Sequence, residues 1–96
     1  MAYDPGAIDA TLAAAVGDEP GLIAELRMAF VESAERVLAL MKAAEDAAAW
    51  RAAALRLKGL SASFGAVRLM ALASRAEAKP LDSAVLAQIG RAISRL

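Results

Sequence analysis

Trp50-Arg51-Ala52-Ala53-Ala54-Leu55-Arg56-Leu57-Lys58-Gly59-Leu60-Ser61-Ala62-Ser63-Phe64-Gly65 reads as a single amphipathic helix closed by a glycine. With Leu57 as origin and ~100° per residue, Trp50, Ala53, Ala54, Leu60, Ser61 and Phe64 all fall within ~60° of it. That arc is a core stripe. The opposite side carries Ala48, Arg51, Leu55, Gly59 and Ala62, with Lys58 flanking it. Leu55 lies ~160° from Leu57 and is expected to face outward. A lone outward leucine is ordinary. Its neighbours make it a candidate docking face. Gly59, one turn on, costs about 0.8–1.0 kcal/mol relative to alanine in mid-helix. A glycine in that setting often admits a close approach by another backbone or a ligand. Arg51 and Lys58 add cations on the same side.

Breakers divide the rest of the chain. Asp4-Pro5-Gly6 opens a first helix with Ile8, Leu12 and Val16 on one stripe, and Gly17 ends it. Asp18-Glu19-Pro20 supplies a capping-type acid and an early proline for a long second helix, expected to run to about Glu45. Its expected core stripe is Leu22, Leu26, Phe30, Ser33, Val37, Leu40 and Ala44. Asp46 is the expected cap of the third helix, which extends to Phe64, and Gly65 its stop. A fourth helix, from Ala66 to about Glu77, aligns Leu69, Leu72, Ala73 and Ala76. Ala78-Lys79-Pro80 breaks it. A fifth starts near Asp82 and carries Val85, Leu86, Ile89 and Ile93. Loops of a few residues favour antiparallel neighbours. The expected fold is all-α: an up-and-down four-helix bundle with a short extra N-terminal helix, in one domain spanning residues 1–96. Trp50, Phe30 and Phe64 are expected core anchors. Met28, Met41 and Met70 are expected gap-fillers.

Composition agrees and removes several functions. The 96 residues make one domain. Alanine fills 27 positions and aromatics only 4%, which favours helices over sheets. Cysteine and histidine are absent, so disulfides, thiolate chemistry, Cys/His zinc sites and histidine acid–base catalysis are excluded. No Gly-rich phosphate loop or metal-ligand cluster is present, so no cofactor and no metal is expected. No apolar run reaches the ~18 residues of a membrane span, and Met1 to Asp9 has no basic signal-type region, so a cytoplasmic protein is expected.

The net charge is zero, but residues 1–50 hold nine acids and three bases, and residues 51–96 hold eight bases and two acids. The halves are therefore −6 and +6. The split marks an interaction surface, or two sets of helices that complement each other when packed. Nucleic-acid binding through the basic half is disfavoured by the few aromatics and the zero net charge.

Leu55-Arg56-Leu57-Lys58-Gly59-Leu60-Ser61-Ala62-Ser63-Phe64-Gly65-Ala66 resembles the signature of histidine-containing phosphotransfer (HPt) domains, His-x-Leu-Lys-Gly-Ser-Ser-x-x-Phe/Leu-Gly-Ala. Val16 to Phe30 is similar to the family's loop and the start of its long second helix, and Ala66 to Glu77 to its fourth. The likeness runs from about Ile8 to Ile93. It implies a two-component or phosphorelay signalling protein whose partner is a response-regulator receiver domain or the receiver of a hybrid kinase. One departure is decisive. Leu55 occupies the phosphohistidine position, and leucine has no lone pair and no titrating group. With no histidine anywhere, none can substitute. Leu60 is a milder departure, where the family has a small polar residue.

The resemblance therefore implies a pseudo-HPt domain, not an enzyme and without catalytic residues. Its expected partner-binding residues are Arg51, Leu55, Arg56, Lys58, Gly59 and Ala62. Lys58 matches the family's lysine that balances phosphoryl charge; a plain solvated helix charge is the competing reading. The cationic face, to which Arg68 would add, suits the carboxylate cluster of a receiver. Such a domain, expected to be a monomer, would act as adaptor, decoy or inhibitor. Two alternatives stay open: a genuine phosphotransferase in which leucine has replaced the histidine, and a helical scaffold that self-associates through the Leu55 patch.

Overall fold

A computed structural model describes residues 5–96 apart from Asp18, and omits the side chains of Pro5, Gly6, Ala7, Asp9, Val16 and Pro20. The expectations placed on Asp4, on Asp18 and on the Val16 side chain lie outside the described residues. Among the described residues there are five helices and no strand: α1 (Pro5–Val16), α2 (Pro20–Ala43), α3 (Ala47–Ser63), α4 (Val67–Ala78) and α5 (Ser83–Ser94). Among the described residues, no helix is long and apolar enough to cross a membrane.

Helix ends follow local chemistry. Asp46 has an extended backbone and its side chain accepts a 2.7 Å hydrogen bond from the Ala49 N–H, which caps α3. The extended conformation spreads to Ala44, so α2 stops at Ala43, two residues short of the expected Glu45. At the other end of α3, Gly65 takes φ 70°. The Gly65 N–H then reaches the Ala62 carbonyl and the Ala66 N–H reaches that of Ser61, which satisfies two terminal carbonyls at once. Asp82 accepts from the Ala84 and Val85 N–H groups and caps α5. Glu19 precedes α2 with no side-chain bond to its first turn, so the described acid of the Asp18-Glu19 pair does not cap.

Packing links α2 to α3, α3 to α4, α4 to α5 and α5 back to α2, and α1 lies against α2 through Ile8 and Leu12. At 1.5 Å per residue α2 is ~36 Å long, close to the 42 Å extent of the molecule. The core stripe of α3 is as expected: Trp50, Ala53, Ala54, Leu57 and Ser61 are buried, and Leu60 and Phe64 half-buried against the core. The Trp50 indole N–H donates to the Ala76 carbonyl at 2.7 Å and joins α3 to the end of α4. Phe30 and Phe64 stack with ring centroids 4.8 Å apart. Ser61 is the one buried polar side chain among the described residues, and its hydroxyl donates to the Leu57 carbonyl one turn back. Leu69, Leu72, Ala73 and Ala76 of α4 and Val85, Ile89 and Ile93 of α5 complete the core.

The α2 stripe differs from expectation. Phe30, Ala34, Val37 and Met41 are buried, whereas Leu22 and Leu40 are exposed and Ser33 is half-buried. Leu22, Ser33 and Leu40 lie ~60–80° to one side of Phe30 and fall at the edge of the buried arc. Met28 is 65% exposed and fills no gap; Met41 does.

Candidate functional site

Helix α3 is pinned on its inner side by Trp50 and Leu57, and this fixes what its outer side presents. Leu55 is 48% exposed, and Arg51, Arg56, Gly59 and Ala62 are exposed around it. Arg51, Leu55, Gly59 and Ala62 share the outer side of the helix, whereas Arg56 lies ~100° round from Leu55 and turns toward α2. Ala48 and Ala52 extend this outer side as a flat border of small side chains. Lys58 sits at the margin, half-buried, with its ammonium 3.7 Å from a carboxylate oxygen of Glu77 on α4. That pair is loose and partly solvated, so it stabilises the fold little. Arg68 is half-buried in the first turn of α4.

Gly59 has no internal reason to be glycine. Its backbone is ordinary helix, and a Cβ built there meets nothing within 4 Å. The Ser63 hydroxyl donates to its carbonyl at 3.0 Å. Alanine would fit and would favour the helix, so the fold gives no reason for the missing side chain.

Electrostatics leave the face cationic. Among the described residues, no ion pair joins an acid of residues 1–50 to a base of residues 51–96. Arg51 and Arg56 have neither a hydrogen bond nor a carboxylate partner among the described residues. Leucine at the centre of this surface supplies only apolar area.

Arg56 also lines an open groove of about 490 Å³ between α2 and α3, together with Ser33, Arg36, Val37, Ala39, Leu40 and Leu60. The Arg36 guanidinium donates to the Ser33 hydroxyl at 3.0 Å. Sequence reasoning missed this groove because it assigned Ser33 and Leu40 to the core. Their position at the edge of the stripe was the available signal.

No protein family, no curated protein and no solved structure matches the chain.

Proposed function

We propose that this protein is an HPt-like four-helix bundle, α2 to α5 with α1 laid alongside, that binds receiver domains without accepting a phosphoryl group. The observation that carries the reading is Leu55. It is half-exposed at the centre of a flat cationic face, in the position that the HPt-like sequence pattern gives to histidine. Beside it Arg51, and at the α2 edge of the face Arg56, suit the acidic cluster of a receiver, and the unfilled space at Gly59 suits close approach by its loops. Burying a leucine fully is worth ~1.5–3 kcal/mol, and Leu55 retains about half of its surface to bury. A leucine in place of an imidazole thus favours holding a partner over passing phosphate to it. The protein would serve in the cytoplasm as an adaptor, decoy or sequestering inhibitor of a phosphorelay.

An NMR titration tests this, with the isotopically labelled domain mixed with receiver domains from its own genome, unphosphorylated and phosphomimetic. Shifts centred on Arg51, Leu55, Lys58 and Gly59 with at least one receiver are expected. They should weaken as salt is raised, because the attraction is partly Coulombic. No shift with any receiver would overturn the reading.

A further inference from the structure

The acidic side of the molecule has an apolar centre of its own. On α2, Met28 is 65% exposed, and Glu25 and Glu32 are exposed one turn to either side of it. The α3 face has the same layout in the opposite charge: Leu55 at the centre, with Arg51 one turn before and Lys58 one turn after.

The lateral offsets also match. At ~100° per residue, Arg51 and Lys58 lie ~40° and ~60° to one side of Leu55. Glu25 and Glu32 lie ~60° and ~40° to the other side of Met28. When two parallel helices meet face to face, the left flank of one overlies the right flank of its neighbour, as in parallel coiled coils. Setting Met28 opposite Leu55 in that orientation brings Glu25 beside Arg51 and Glu32 beside Lys58, each within about 1.5 Å along the axis. The antiparallel arrangement puts these charges on opposite flanks. Ala48, Ala52, Gly59 and Ala62 leave the α3 face flat enough to receive a helix.

We propose that two copies of this chain associate by seating the Glu25–Met28–Glu32 stripe of α2 in one copy on the Arg51–Leu55–Lys58 face of α3 in the other, with the helices parallel. Charge complementarity identifies the occupant: the chain carries both halves of the pairing, and among the described residues no ion pair joins one to the other. Lys58 is bound to Glu77 only loosely and keeps 44% of its side chain exposed for a second carboxylate. The contact joins unlike surfaces, so a pair leaves one stripe and one face free at its ends for further copies. A single helix–helix contact is small beside a stable dimer interface, so association is weak and concentration-dependent. The monomer expected from the sequence is then the dilute form, and self-association covers the surface assigned to receivers.

Sedimentation equilibrium decides the matter. At low salt the weight-average mass is expected to rise by at least about 1.3-fold between roughly 20 μM and 1 mM, and the rise to be lost at about 0.5 M salt. Glu25→Arg and Arg51→Glu should each stay monomeric, since each leaves like charges at the contact, while mixing the two restores association. Far-UV circular dichroism checks the fold, and the milder Glu25→Gln and Arg51→Gln should show partial loss. A constant monomer mass at all concentrations, wild-type association in either charge-reversed variant, or no recovery in the mixture would overturn the proposal. The proposal does not rest on the receiver reading. Glu25→Arg alters α2 alone, so receiver binding that survives in a monomeric Glu25→Arg variant separates the two.

Discussion

Leu55 and Gly59 are notable for what they lack: one has no proton-accepting nitrogen, the other no Cβ. Introducing such a nitrogen is the sharpest test of the first. Leu55→His places an imidazole on an exposed helix face beside Arg51 and Lys58. If the scaffold keeps HPt geometry, this variant takes the phosphoryl group from a receiver aspartyl phosphate onto its imidazole nitrogen, and the wild type does not. Radiolabel transfer from a phosphorylated receiver reads it directly, and no label on the variant counts against the receiver pairing. For Gly59, alanine meets no atom within 4 Å, so Gly59→Ala should raise stability by about 0.8–1.0 kcal/mol. Urea unfolding measures this. A loss of stability would show a packing role for the glycine and remove its support for a docking face.

Among the elements, α3 was the most legible in the sequence and α2 the least. Every residue assigned to the inner stripe of α3 is buried or half-buried, and Arg51, Leu55, Gly59 and Ala62 are exposed on its other side. A helix packed on two neighbours through one continuous arc keeps one direction of burial, and a 3.6-residue period captures it. Helix α2 meets three helices, α1, α3 and α5. Its buried arc is set by those neighbours, and its alanines add little to the pattern. This is why Ala34 replaces Leu40 in the core. The caps follow a similar contrast. Asp82→Ala should cost about 1 kcal/mol, because two N–H groups lose their acceptor. Glu19→Ala should change stability by less than about 0.5 kcal/mol, since its side chain bonds to neither. Thermal unfolding of the two variants compares them; equal losses would contradict the cap geometry.

For the whole molecule, Trp50 provides an internal reporter. It is the only tryptophan, buried near the start of α3 and bonded to the Ala76 carbonyl near the end of α4. A single core that joins α2 to α5 should unfold in one step. Trp50 fluorescence and far-UV circular dichroism are therefore expected to give the same denaturant midpoint. A fluorescence midpoint well below that of the helix signal would show α3 and α4 separating first.

The sequence by itself determined five helices, their breakers, the Asp46, Gly65 and Asp82 end signals, and the two sides of α3, because these depend on spacing and on single-residue conformational preference. It also excluded cysteine and histidine chemistry outright. Tertiary structure alone decided which edge of α2 is covered, that Arg56, Arg36 and Leu40 share a groove, that Lys58 leans on Glu77, and that Gly59 borders open space. Each of these depends on atoms distant in sequence being brought side by side. Helical periodicity sets the direction in which a side chain points, and only the packing of neighbouring helices determines what it meets there.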